Sequence, residues 1–241
     1  ISVDAINVAG ANNTLLLTAA QASAHTITVS GDSGHTTQVK VLGNVDSNAV
    51  VDLRGIDANA LSFLDTGEGT GLGTIAVGAG ATLKLTAAQA SGKQITGTNT
   101  STIEVYGIDG TTDLSGLSST ANVKVVLANA GTFDVTDNPK LGNVDGYVLE
   151  NASTVLQVKE SQISGKAVTV DPSAMGATVV FVGDVVSSNV PVDLRSVDAN
   201  ALRFDSNSIA VPYTDNERLK LTAAQAIALV VNGQTITGSG I

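Results

Sequence analysis

Short runs of alternating apolar and polar residues recur along the chain about every ten positions. Val39-Lys-Val-Leu, Ile103-Glu-Val-Tyr and Val179-Val-Phe-Val are examples. A period of two puts Val, Ile or Leu on one face and Thr, Lys, Gln or Asp on the other, which is the signature of a half-buried strand. Strands of three to five residues are expected to start near Val39, Val51, Leu61, Thr74, Leu83, Gln94, Ile103, Thr112 and Val123. The series continues near Thr132, Tyr147, Val155, Ala167, Val179, Val190, Leu202, Ile209, Leu219 and Thr235. Gly, Asn, Asp and Ser fill the intervals as turns. Two strand-plus-turn intervals make about 21 residues, the length of one coil of a parallel solenoid, and the chain would then hold about eleven coils. The expected fold is all-β: a repetitive right-handed parallel β-solenoid with short helical corners. Tandem β-sandwich domains are the alternative, because strands at this spacing suit them too.

Three motifs recur in a fixed order. The first is a short strand ending in glycine, as in Val39–Gly43, Ile103–Gly107 and Val179–Gly183, with an earlier copy at Ile6–Gly10. The second is an Asp-Leu motif: VDLRGIDANALSF at 51–63, TDLSGLSSTANVKV at 112–125 and VDLRSVDANALRF at 192–204. The third reads LLLTAAQASAHTITVS from Leu15, LKLTAAQASGKQITG from Leu83 and LKLTAAQAIALVVNGQTITG from Leu219, with a degenerate copy, LQVKESQISGKAVTV, from Leu156. The equivalent positions Thr18, Thr86, Lys159 and Thr222 lie 68, 73 and 63 residues apart. Residues 1–31 are the tail of a first repeat, 32–97 a second, 98–172 a third, degenerate one and 173–241 a fourth, in one continuous array.

Thr86-Ala-Ala-Gln89 has the spacing of a capping box, in which the threonine oxygen and the glutamine side chain each satisfy a free N–H of the helix start. Thr18/Gln21 and Thr222/Gln225 repeat it. Ala-Ala-Gln-Ala favours helix, and Gly92 suits a left-handed exit. The motif therefore predicts strand, a brief helix and strand again, which makes a corner of each repeat. A ligand-contacting role for Gln89 is the competing reading.

Composition narrows the function. Aromatic residues are 3% of the chain and there is no Trp, so Val, Ile, Leu and Ala must fill the core. The net charge of −10 and a pI near 4.4 lack the basic footprint that nucleic acid or an anionic membrane surface requires. The absence of cysteine excludes disulfides, zinc–thiolate sites and thiol nucleophiles. No run approaches the ~20 apolar residues of a membrane span. The chain opens inside an alternating pattern without a start methionine, which reads as a processed product or an excised piece.

Calcium is the cation such a chain could take, through oxygen ligands. Asp52, Asp113 and Asp193 are equivalent, and Asp57 and Asp198 match across two copies of the Asp-Leu motif; these are the candidate calcium ligands. The plainer reading gives each aspartate a local turn to cap. Asp32, Asp46 and the Asp109–Asp113 loop offer no better set, and no calcium-binding glycine-aspartate nonapeptide occurs. Acids that do not recur (Glu68, Glu150, Glu160, Glu217) scatter through loops, as do His25 and His35, so no catalytic cluster forms. Gly67–Gly73 lacks the lysine and the following helix of a phosphate loop.

The LTAAQASGK-x-ITG and VDL-x-G-I-D-A-N repeats, the missing cysteine, the low pI and the Thr/Ser/Asn/Gly/Val/Ala bias together resemble the repeat regions of very long bacterial surface proteins, S-layer-like proteins and giant secreted adhesins. The resemblance spans nearly the whole chain. It implies secretion to the cell surface, a structural or adhesive role rather than an enzymatic one, and calcium dependence. Expected partners are copies of the chain or neighbouring repeats, with a cell-surface glycan as a second possibility through the insert loops 65–73 and 206–217. A β-helix polysaccharide-degrading enzyme is the remaining alternative.

Overall fold

The computed structural model describes residues 5–10, 12–30, 37–64, 73–183, 192–205, 208–210 and 219–237. The protein is a parallel β-solenoid of about eight turns. Every registered strand pair is parallel, which removes the β-sandwich alternative, since sandwiches are built from antiparallel sheets. Among the described residues four short α-helices interrupt the strands: Ala19–Ala22, Ala87–Ala90, Glu160–Ile163 and Ala223–Val231.

The chain forms two compact units. One comprises Ile1–Tyr106 and Thr112–Lys124, the other Gly107–Thr111 and Val125–Ile241. In the first unit, strands Thr14–Thr18, Gln38–Leu42 and Leu61–Leu64 stack so that Leu15 faces Val39 and Val39 faces Leu61. A second column joins Val50–Asp52, Thr82–Thr86 and Thr102–Tyr106, with Val51, Leu83 and Ile103 in line. In the second unit, Gly131–Asp134, Thr154–Val158, Thr178–Phe181 and Leu202–Phe204 align Phe133, Leu156, Val179 and Leu202. The inward residues Leu83, Leu85, Ile103, Leu156, Val179 and Leu202 are fully buried. Each such side chain contributes roughly 1.5–3 kcal/mol through burial. Because each layer is one residue thick, branched aliphatic side chains fill it and aromatics are scarcely needed. Phe181 and Phe204 form one stacked pair, edge to face at 5.8 Å.

Most of the expected strand starts fall within a residue or two of a strand. Thr112 does not: residues 112–114 are irregular, whereas the equivalent Val50–Asp52 and Val192–Asp193 are strands. Val190 lies outside the described residues.

Eight turns replace the eleven expected, and the reason is turn length. Tight steps take 20 residues (Leu83 to Ile103) to 24 (Leu15 to Val39). Wider ones take 32 (Val51 to Leu83) and 27 (Val192 to Leu219). The 68-residue interval from Thr18 to Thr86 therefore spans two wide turns rather than three narrow ones.

Candidate functional site

The recurring motifs meet at the corners. Ala87–Ala90 starts at Thr86, whose Oγ1 accepts the Gln89 N–H at 3.2 Å while Gln89 Oε1 accepts the Thr86 N–H at 2.8 Å. The same reciprocal box closes at Thr18/Gln21 and Thr222/Gln225. In the degenerate copy Lys159 has no side-chain acceptor, so only half of the box remains: Gln162 Oε1 takes the Lys159 N–H at 2.7 Å.

The glutamine has a second task that the box spacing does not reveal. Gln89 is buried, and its Nε2 donates to the carbonyls of Leu53 and Ile56 at 2.6 and 2.7 Å. These belong to the Asp-Leu motif of the preceding turn. Gln225 repeats this on Leu194 and Val197, and Gln162 on Thr136 and Asn138. The serine ending the motif reaches the other way. Ser23, Ser91 and Ser164 Oγ accept the N–H groups of Asp52, Asp113 and Asp193, one turn on. The corners at Gln89–Ser91 and Gln162–Ser164 are thus bonded both to the turn before and to the turn after, whereas Ser23 links the first corner only onward and Gln225 the fourth only back. The acceptors of Gln162 expose an Asp-Leu corner that the sequence reading missed: Asp134-Val-Thr136, with Val135 buried where Leu53, Leu114 and Leu194 are. Valine for leucine and an Asn-Pro insertion hide it in the sequence.

Two lysines add to this stacking. Lys93 Nζ donates to Leu61 O at 3.4 Å and Lys166 Nζ to Leu141 O at 3.2 Å. Burial pushes the Lys166 ammonium pKa down, and Asp145 partly opposes it. After the first helix, Ala24 and His25 stand in place of Gly-Lys. Ala24 holds a left-handed φ of 60° where Gly92 and Gly165 have 70° and 73°.

The candidate calcium ligands are each drawn into local turns. Asp52 accepts from the Arg54 N–H, Nε and Nη2 at 3.1, 2.9 and 2.6 Å, using both oxygens. Asp193 and Arg195 repeat this geometry. Asp113 Oδ1 accepts from the N–H and hydroxyl of Ser115. Asp57 and Asp198 accept the N–H of Asn59 and Asn200 through one oxygen. Among the described residues no three His, Cys, Asp or Glu side chains gather. Asp32, His35, Glu68 and Glu217 lie outside the described residues, as does the Gly67–Gly73 loop apart from Gly73. His25 Nδ1 is buried without a hydrogen-bond partner.

A charged ladder runs along the outward face of the first unit. Asp52, Lys84 and Glu104 are register partners on three adjacent strands, alternating in sign. Lys84 Nζ lies 3.1 Å from Glu104 Oε2, which also accepts the Tyr106 hydroxyl at 3.1 Å. The Arg54 guanidinium covers the Tyr106 ring at 3.9 Å. Half-exposed pairs of this kind add a few tenths of a kcal/mol each, and the cation–ring contact about 0.5–1 kcal/mol. Their larger effect is on register, because a slipped strand would part the opposite charges and set Lys84 and Glu104 against uncharged neighbours.

The Asp193 carboxyl is held down to about 2, first by the hydrogen bonds from Arg195. A depressed folded-state pKa gives stability that is fully present above the unfolded value near 4 and lost as pH falls toward 2. Urea midpoints measured from pH 5 to pH 2 should therefore fall less steeply for Asp193→Asn than for the parent. Equal slopes would show the pair to be without weight.

In the second unit a cleft of about 330 Å³ opens beside strand Ala167–Val170, with Val170, Pro172 and Met175 as its apolar lining and Asp171, Asp198 and Asn200 as its polar groups. Met175 is 84% exposed there. Comparisons with protein-family models, with curated proteins and with solved structures each returned no match.

Proposed function

We propose that the chain is a non-enzymatic structural segment of a secreted bacterial surface protein, whose turns stack into a cell-surface layer or filament. The observation that carries this reading is the use made of the repeated side chains. Glutamine and serine of the recurring motifs are spent on bonding a turn to its neighbours, and threonine and aspartate on capping the local turns between. Repeats that only stack can be extended by further repeats through the same bonds.

Calcium belongs to the proposal as a bridging cation between surfaces of net negative charge. The test is particle mass by light scattering, first with calcium and then with chelator. Growth into filaments or sheets is the expected result, reversed by chelation if calcium bridges the contacts. A chain that stays a compact monomer under all salt and calcium conditions overturns the assembly reading.

The cleft at Val170–Ala201 favours a second reading, an adhesive arm. Its apolar floor and three polar groups suit a small part of a glycan or of a protein surface. The insert loops at 65–73 and 206–217 belong to this reading, but apart from Gly73 and residues 208–210 they lie outside the described residues. A glycan array without hits counts against the glycan form of it.

A further inference from the structure

The turn after strand Ala167–Val170 departs from its counterpart one repeat earlier. The parallel bridges Ile95–Leu117 and Val168–Val197 fix the equivalence: Gly97 matches Val170, and Ser118, Thr120 and Ala121 match Asp198, Asn200 and Ala201. In the first unit this corner is closed. The Thr120 hydroxyl donates to the Gly97 carbonyl at 2.7 Å, and a Cβ on Gly97 would sit 2.8 Å from that of Ala121. In the second unit valine replaces that glycine. Seven residues, Asp171–Ala177, then lead to the next strand, where the earlier copy uses four, Thr98–Ser101. The added length forms the 3₁₀ turn Pro172–Ala174 and leaves Met175 exposed on the cleft. The opening of about 330 Å³ is therefore made by residues particular to this repeat and is not a by-product of stacking.

Its free polar groups are acceptors. Asp171 Oδ1 takes the N–H and hydroxyl of Ser173, and Asp198 Oδ1 takes the N–H of Asn200. The Oδ2 atoms of both aspartates and the side-chain amide of Asn200 make no hydrogen bond among the described residues. The bonds from Ser173 hold the Asp171 carboxyl below its ordinary range, which keeps it ionised at neutral pH. No lysine or arginine lines the cleft. Arg203, close by in sequence, spends its Nη1 on the carbonyls of Asn200 and Leu202.

We infer that this cleft holds a lysine side chain from a segment of a partner protein. An ammonium donates three hydrogens and accepts none, which matches two carboxylate oxygens and one amide oxygen. Its methylene stem needs apolar surface, and Val170, Pro172 and Met175 offer it. Arginine fits less well, because its guanidinium pairs with both oxygens of one carboxylate and each aspartate here has only one to give. A calcium ion needs roughly six to eight oxygens and would leave the apolar floor unused. This occupant deepens the adhesive reading, on which it rests, by naming the group held.

Met175 is the one methionine in the chain, so a carbon-13 label on its methyl group reports the cleft as a single NMR signal. Titration with Nα-acetyl-lysine N-methylamide should shift that signal to saturation. The norleucine analogue, which has the stem without the charge, should bind about tenfold more weakly or worse. Asp198→Asn keeps the Oδ1 acceptor for the Asn200 N–H and removes the charge. It should weaken lysine binding about threefold or more and leave the urea midpoint unchanged. Asp171→Asn repeats the test at the other carboxylate. Equal binding of the two compounds, or lysine binding indifferent to both substitutions, overturns the proposal. A shift with oligosaccharides from the glycan array and none with the lysine compound overturns the proposal and keeps the adhesive reading. No shift with either overturns both.

Discussion

Gln89→Ala should destabilise the first unit by about 3–5 kcal/mol, the largest effect expected from a polar substitution in it. The side chain is fully buried and serves three backbone groups: the Thr86 N–H and the carbonyls of Leu53 and Ile56. Alanine leaves the Thr86 N–H and the Ile56 carbonyl without these partners, while the Leu53 carbonyl keeps only the Ile56 N–H; each buried orphan costs roughly 1–3 kcal/mol. Water cannot relieve them without opening the interface between turns. The same substitution at Gln21, which serves only the N–H and hydroxyl of Thr18 at an exposed position, should cost about 1 kcal/mol or less. Urea unfolding of the two variants makes the comparison. Equal losses would mean that the glutamine acts only as a helix cap and that the turn-to-turn bonds carry no weight.

Gly116→Ala is expected to lose about 2–3 kcal/mol, for a steric reason. A Cβ at Gly116 would fall well inside contact distance of the Lys93 carbonyl oxygen, which is backbone and cannot swing away. Gly55 stands in the same relation to the His25 carbonyl. The third Asp-Leu corner carries Ser196 at this position, so that corner already accommodates a Cβ. Ser196→Gly should accordingly change stability by less than ~1 kcal/mol, mainly through unfolded-state entropy. A neutral Gly116→Ala in thermal unfolding would show that the turns slide apart cheaply, which would contradict the tight coupling of the corners.

The two substitutions probe a single design. In a solenoid each layer touches only its neighbours, so stability accumulates from intrinsic turn terms and interface terms. The corners are where backbone leaves the strand ladder and would otherwise present unpaired groups. Glutamine, serine and lysine from adjacent turns supply the missing partners there. These residues recur because every interface poses the same local problem.

The sequence by itself determined the elements and their class. Alternation with a period of two needs no tertiary context to mark Val51, Leu83, Ile103 and Leu156 as inward, and Thr-x-x-Gln followed by glycine is a local signal for a helix start and exit. The parallel solenoid followed from short strands at regular spacing and from a core without large aromatic residues. Only the tertiary structure decided what lies above what. Register between turns depends on how long each loop is, and a 32-residue step looks no different in sequence from a 20-residue step with another strand inside it; hence eight turns rather than eleven. The second role of Gln89 was hidden for the same reason: its acceptors lie 33 and 36 residues away, and carbonyls carry no side-chain label. The ladder of Asp52, Lys84 and Glu104 was likewise invisible, because charges that alternate across strands are unremarkable along the chain. Local patterning is written in neighbouring residues, whereas stacking is set by chain length and backbone geometry, and these become definite only when the turns pack.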